Sequence, residues 1–253
     1  MTSSPTPDPS DFASRAATYE ELRPLDHGAH ELIEEVVREA GLAGRRVLDI
    51  GCGTGRLAAI LSEQHGARVA GVDPSLEMLE VAERRGIPGL ELVRGRAEEL
   101  PFADGQFERA VMTLVVQHLD RKRAFAEAVR VLAPGGRFAV VTPHPDFFAG
   151  YWMADFFPSY VEVELARFPG EAVLAAEFED AGFGSSRFVE HWHQRSYGRD
   201  LALRRTRGRF ASTFELISDE EYRAGLARAE AELPDRVEYH SGWLIAMADV
   251  PQG

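Results

Sequence analysis

The stretch Val47-Leu48-Asp49-Ile50-Gly51-Cys52-Gly53-Thr54-Gly55 constrains this chain more than any other. Val47 to Ile50 is a short apolar run broken only by Asp49, and it reads as a strand. Glycines at alternate positions then let the backbone turn sharply and approach a ligand with no Cβ in the way. Leu57 to Leu61 follows with helical apolar spacing. The N-terminus of that helix adds free N–H groups and partial positive charge. A strand that passes through such a turn into a helix is the opening of a strand–helix–strand unit.

The rest of the first 142 residues repeats the alternation. Leu32, Ile33, Val36, Val37 and Ala40 recur at helix spacing, and Gly41 is a stop signal. Arg68 to Val72 reads as a second strand. Leu76 to Arg85 reads as a helix, with Asp73 or Ser75 near its start. Leu90 to Val93 and Ala110 to Val116 are the third and fourth strands. Ala124, Phe125, Ala128, Val129 and Leu132 line a further helix, which Pro134-Gly135-Gly136 breaks before a fifth strand, Phe138 to Thr142. Strands and helices alternating at this pace predict a parallel sheet with helices on both faces. Ligands of such sheets bind beyond the carboxyl ends of the strands.

The pattern changes after Thr142. Pro143 to Phe168 carries Phe147, Phe148, Tyr151, Trp152, Phe156, Phe157 and Tyr160. A helix over Glu171 to Ala181, a strand over Ser186 to Trp192 and a last strand over Gly242 to Ala248 are expected. Ser218 followed three residues later by Glu221 opens an amphipathic helix to Leu233 with a capping-box pattern. The expected organisation is a disordered N-terminus over 1–18 and one domain over 19–253. Cap insertions are expected at about 143–168 and 194–240.

Composition narrows the function classes. Cys52 is the single cysteine, so no intramolecular disulfide framework is available. The start of the chain lacks a basic, apolar leader, and no apolar stretch reaches the roughly 20 residues that span a bilayer. The cytoplasm is the expected location, with no membrane partner. A formal net charge of −13 opposes binding to phosphate backbones, so no nucleic-acid partner is expected.

The spacing of the glycines separates two nucleotide-type readings. A dinucleotide fingerprint is G-x-G-x-x-G, whereas here the third glycine comes one residue early. The run Val47 to Gly55 instead resembles the S-adenosylmethionine (SAM) motif of class I methyltransferases. Asp73 at the end of the second strand, Gly95 to Phe102, and Arg130 to Gly136 resemble three further elements of that family, in order. The resemblance covers roughly Tyr19 to Thr142 and is nearest the type 11 group, which includes quinone-biosynthesis and natural-product enzymes. It implies a Rossmann-like, doubly wound α/β fold. The seven-stranded sheet would be mostly parallel, its last strand antiparallel, beneath a helical and aromatic cap. It also implies SAM as cofactor and methyl transfer to a small-molecule acceptor by in-line displacement. The acceptor atom (oxygen, nitrogen or carbon) is left open. Such a displacement needs a positioned acceptor, a proton acceptor and exclusion of water, and no metal.

The resemblance also assigns residues. Asp49 would meet the amino end of the ligand. Gly51, Gly53 and Gly55 would form its backbone cradle. Asp73 would bind the ribose hydroxyls, or simply cap a helix. Pro74, Met78 and Thr113 are expected at the same site, and Ala97 and Glu98 at the adenine. Arg96 replaces an acidic residue common in the family, and a guanidinium cannot accept a hydrogen bond. Tyr19 and Arg23 resemble a Y-x-x-x-R-P entry, in which Arg23 would hold the methionine carboxylate or lie on the surface. His118, after the fourth strand, and His144, after the fifth, are the candidate bases; either could only pack. His191 and His193 share a strand face without an evident third metal ligand. The aromatic segment suits a substrate wall, a core or a subunit contact, and a homodimer is left open. The arginines Arg195, Arg199, Arg204, Arg205, Arg207 and Arg209 suit a solvated helix face or recognition of a substrate carboxylate or phosphate. A SAM enzyme of cyclisation type and a non-catalytic SAM-binding module share the glycine turn. A nicotinamide oxidoreductase is disfavoured by it.

Overall fold

The computed structural model describes residues 19–22 and 25–252, with Tyr19 by its backbone alone. Seven strands form one sheet. They are β1 (Arg46–Ile50), β2 (Arg68–Asp73), β3 (Glu91–Arg94), β4 (Phe107–Thr113), β5 (Leu132–Pro143), β6 (Ser185–Gly198) and β7 (Arg236–Asp249). Their order is β3-β2-β1-β4-β5-β7-β6. The first five are parallel neighbours, and only β7 is reversed, antiparallel to both β5 and β6. This is the Rossmann-like, doubly wound sheet with an antiparallel last strand.

Strand alternation sends successive side chains to two separate cores. Leu48, Ile50, Ala110, Met112, Phe138 and Val140 pack on one face, with Phe125, Leu174 and Phe178 from helices α4 (Arg121–Val131) and α6 (Glu171–Ala181). Val47, Val69, Val111, Ala139 and Val141 pack on the other, with Leu32, Val36, Ala58 and Leu61 from α1 (His27–Ala40) and α2 (Arg56–His65). Gly41 ends α1 in the left-handed conformation expected of a C-cap glycine, with φ 65°. Helix α3 (Leu76–Glu83) is capped by Ser75, whose hydroxyl accepts from the Met78 N–H.

Four strands differ from their expected bounds, and β5 already begins at Leu132, before the Pro134-Gly135-Gly136 expected to precede it. β4 stops at Thr113 because Leu114 turns left-handed, with φ 57°. Val115 and Val116 continue the apolar run in sequence, but Val116 enters the core from a short 3₁₀ turn, Val116–His118. β6 and β7 are both longer than expected. They pair without a break from Ser185 opposite Asp249 to Gly198 opposite Arg236. The outer half of β6 alternates exposed and half-buried residues, so its strand signal is diluted by polar positions. Residues 194–198 and 236–240, grouped with the insertion on sequence, therefore belong to this hairpin.

A third apolar cluster lies above the strand ends. It joins Phe148, Tyr151, Trp152, Phe156, Phe157 and Tyr160 to Leu203, Phe214, Tyr222 and Leu233. Helix α5 (Tyr160–Arg167) comes from the first insertion. α7 (Arg199–Arg207) and α8 (Asp219–Glu232) come from the connection between β6 and β7. Ser218 caps α8 as its spacing predicts, accepting from the Glu221 N–H. The Glu221 carboxylate does not close a capping box, however. It accepts from the N–H and the hydroxyl of Ser159, both at 2.8 Å, and so ties the start of α5 to α8.

Candidate active site

Asp49 sits at the centre of the sheet, opposite Gly71 of β2 and Val111 of β4. The chain reverses immediately after β1. Gly51 takes φ +73°, and a Cβ there would come within 2.4 Å of Val115. Gly53 takes φ +52°, but a Cβ there would meet nothing within 4 Å. The first glycine is required by packing, whereas the second borders open space.

The amides of this turn are largely committed. Gly51 and Cys52 donate to the Val72 carbonyl, Gly55 donates to Cys52, and Gly53 donates to Asp73 Oδ2 at 2.9 Å. Asp73 Oδ1 accepts from the Ser75 N–H at 2.9 Å. The turn is thus a surface of close approach and not a cluster of free donors for a pyrophosphate. What it presents is acceptor chemistry. Asp49 Oδ2 is buried with no hydrogen-bond partner among the described residues. Burial, and then the charge of Asp73, push the Asp49 carboxyl up to about 7. Gln117 Oε1 is a second buried acceptor without a partner among the described residues, while its amide nitrogen donates to the Leu114 carbonyl. Two unsatisfied acceptors at one site are complementary to an ammonium group, which has only donors.

Asp49 and Gln117 line a cavity of about 360 Å³, within the size range of small-molecule sites. Gly51, Gly53 and Thr113 line the same space, and Arg56 and Leu57 of α2 border it. Its other half is built by the cap. Phe147, Phe148, Tyr151, Tyr160 and Phe168 come from the first insertion, and Arg205, Phe210 and Ala211 from the second. The long hairpin adds Arg195 and Tyr239. The aromatic segment is therefore both core and wall: Trp152, Phe156 and Phe157 are buried in the cap, while Phe147 and Tyr151 also face the cavity. Tyr151, Tyr197 and Trp152 form a buried polar cluster, with Trp152 Nε1 donating to Tyr197 Oη at 2.6 Å and the two tyrosine hydroxyls 3.0 Å apart. Burial raises the Tyr151 hydroxyl far above its usual range and the Tyr239 hydroxyl to about 12, so both stay protonated.

The other expected site residues lie elsewhere. Asp73 reaches the cavity only through Gly53, and burial raises its carboxyl against the effect of its two backbone hydrogen bonds. Gly55, Pro74, Met78, Ala97 and Glu98 do not line this cavity. A Cβ on Gly55 would come within 2.9 Å of Ala82, so that glycine seats the turn on α3. Glu98 is occupied, accepting from the Asp120 N–H at 3.2 Å and lying 3.4 Å from Arg96. Neither candidate base lines the cavity. His118 follows Gln117 in the 3₁₀ turn. The His144 ring accepts from the Asp146 N–H and packs against Trp192, with Glu190 at 3.7 Å. His191 and His193 face α1, where Glu35 lies 3.6 Å from His191. Arg23 lies outside the described residues, as does the Tyr19 side chain. Gln117, Glu164 and Tyr239 have no motif around them and were not signalled by sequence.

Comparison with known proteins agrees with this geometry. A family model described as a methyltransferase domain matches residues 48–140. The ubiquinone/menaquinone biosynthesis C-methyltransferase UbiE of Rubrivivax gelatinosus is 32% identical over 209 residues, covering 74% of this chain and 81% of the relative. Among solved structures, the 4+2 cyclase SpnF superposes with a TM-score of 0.66 at 19% identity, over the whole of both chains. A Haemonchus contortus phosphoethanolamine N-methyltransferase, solved with S-adenosylhomocysteine, superposes with a TM-score of 0.59 at 21% identity. That match covers 95% of this chain and 58% of the other. These two structural likenesses concern the fold. The sheet order, the acceptor-lined glycine turn and the similarity along three quarters of the chain lead to one assignment: the chain belongs to the type 11 group of class I S-adenosylmethionine-dependent methyltransferases.

Proposed function

We propose that the glycine-turn half of the cavity holds the methionine end of S-adenosylmethionine, and that the aromatic half holds a small, ring-containing, largely apolar acceptor. The observation that carries this reading is the single continuous cavity, with unpartnered acceptors of Asp49 and Gln117 at one end and the aromatic cap at the other. Bound S-adenosylmethionine supplies both the methyl group and its leaving group. Asp49 and Gln117 accept from the ligand ammonium. Gly53 leaves room for the ligand, and Asp73 supports the turn while its carboxylate serves the ribose. Pro74, Met78, Ala97 and Glu98 remain assigned to the adenosine side by resemblance. The aromatic walls orient the acceptor and exclude water. His118 and His144 remain assigned to proton acceptance by resemblance alone, since neither lines the cavity.

The name of the Rubrivivax relative, a quinone-biosynthesis C-methyltransferase, supports a planar ring of that size. The acidic net charge supports a protein without nucleic-acid partners. No described helix is long and apolar enough to cross a membrane. A cytoplasmic location, a single domain with a cap, and an open question of dimerisation complete the reading.

Two substitutions separate the halves of the cavity. Ala211→Trp fills the cap side, and Gly53→Ala fills the turn side. Ala211→Trp is expected to raise the acceptor KM at least about tenfold while leaving the Kd of S-adenosylhomocysteine within about twofold. Gly53→Ala is expected to weaken S-adenosylhomocysteine instead. Loss of S-adenosylhomocysteine binding in Ala211→Trp with the acceptor KM unchanged would reverse the assignment of the two halves.

A further inference from the structure

The six arginines between Arg195 and Arg209 do not act as one basic face. Arg207 pairs with Glu230, and Arg209 with Asp219. Arg199 donates to the Glu230 carbonyl, and Arg204 is exposed. Arg205 alone of the group on α7 turns into the cavity. Its guanidinium carbon lies 4.5 Å from the centre of the Phe210 ring and 5.3 Å from that of Tyr197. Its charge acts on the hydroxyls of Tyr151 and Tyr239, opposing the rise that burial imposes on both. No carboxylate among the described residues is paired with it, and its Nε is buried without a hydrogen-bond partner.

Apart from Asp49 at the turn, the other charged side chains of the cavity are answered within the protein. Arg195 is bound to Asp26, and Glu164 accepts from Thr213 and lies 3.5 Å from Arg167. Arg56 lies 4.0 Å from Glu20. Among the described residues, Arg205 is answered by ring faces only. Cation–π contacts use the face of a guanidinium and leave its edge donors unspent. A guanidinium engaged through its faces keeps edge N–H groups, and paired edge donors take a carboxylate in two parallel hydrogen bonds.

We propose that the methyl acceptor carries a carboxylate on its ring system, and that Arg205 binds it in the cap half of the cavity. This rests on the reading that the aromatic half is the acceptor site. The carboxylate stays unchanged in the reaction. It supplies the anion that the half-buried cation lacks and fixes which ring edge faces the glycine turn. Arg205 is thus a specificity-determining residue, and the substrate class is an aromatic acid.

The probes that test this are 2-naphthoate and its neutral isostere 2-naphthamide. Each is titrated calorimetrically against the full chain, with and without saturating S-adenosylhomocysteine. The acid should bind at least about tenfold tighter than the amide, the value of one charge-assisted pair. Arg205→Met should remove that preference and Arg205→Lys should keep part of it. Arg204→Met, at an exposed position, should leave it intact. The wild-type comparison of acid with amide needs no variant to fold. Equal affinity for the two probes, binding of neither, or a preference that survives Arg205→Met would overturn the proposal. If S-adenosylhomocysteine binds normally while the acid shows no preference, only the Arg205 inference fails. If S-adenosylhomocysteine does not bind, the underlying assignment of the cavity fails as well.

Discussion

Two glycines two residues apart do different work in this protein. Gly51 is pressed against Val115, and Gly53 faces open space. Gly51→Ala combines a disfavoured positive φ with a clash inside the fold. It should destabilise the protein by about 2–4 kcal/mol, read as a lower denaturation midpoint. A midpoint shift in Gly51→Ala no larger than that of Gly53→Ala would remove the packing argument. The alternation of glycines was legible in the sequence, but this division of labour was not. It depends on Val115, which reads as part of a strand until Leu114 turns the chain left-handed. The same turn brings Gln117 to the cavity, and no local pattern marks a lone glutamine as a ligand-facing acceptor.

At the level of elements, the first five strands and the helices between them could be read in order and type, but β4 ends short at Thr113 and β5 starts early at Leu132. Their apolar periods are bounded by glycine, proline or capping residues. The hairpin β6–β7 was only half legible, because its outer part is an edge strand whose polar residues alternate with residues covered by the cap. The cap helices were legible as helices but not as partners. The Glu221 carboxylate, which satisfies Ser159, links insertions 62 residues apart in sequence. Gly225 is another such link. It lies inside α8, where alanine would favour the helix by about 1 kcal/mol. A Cβ there would fall 2.4 Å from the Phe157 ring and 2.8 Å from the Phe156 carbonyl. Gly225→Ala should therefore destabilise the cap by about 1–3 kcal/mol in spite of the helical gain. Chemical denaturation measures this, and a stabilised Gly225→Ala protein would mean that α8 does not press on Phe157 as described.

The whole molecule is two cores on one sheet with a third cluster above the strand ends, and the cavity occupies the junction. This arrangement explains why a place at the sheet edge does not by itself put a histidine in the cavity wall. Position after a strand brings a residue to the correct edge, but the cap decides which side chains look inward. His144 reaches that edge and is held by Asp146, Glu190 and Trp192. Tyr239 and Arg205 come from distant segments and line the cavity. Charge follows the same logic. The chain is acidic overall, yet the cavity holds a buried carboxyl at the turn and a half-buried arginine in the cap. A cofactor with a cationic end and an acceptor with an anionic one would each meet its complement.

The most direct test of this account is the pH dependence of S-adenosylhomocysteine binding, by calorimetry on the wild type and Asp49→Asn. Burial raises the Asp49 carboxyl to about 7, so below that pH the ligand-free protein holds it mainly protonated. A ligand ammonium beside Oδ2 favours the ionised form, so binding below pH 7 must release a proton. Wild-type affinity should then rise by up to about tenfold per pH unit toward pH 7 and level off above it. Asp49→Asn should bind about 10–100-fold more weakly at neutral pH and lose that slope. A flat wild-type profile, or an Asp49→Asn protein that keeps both the affinity and the slope, would contradict the placement of the ligand's amino group at Asp49.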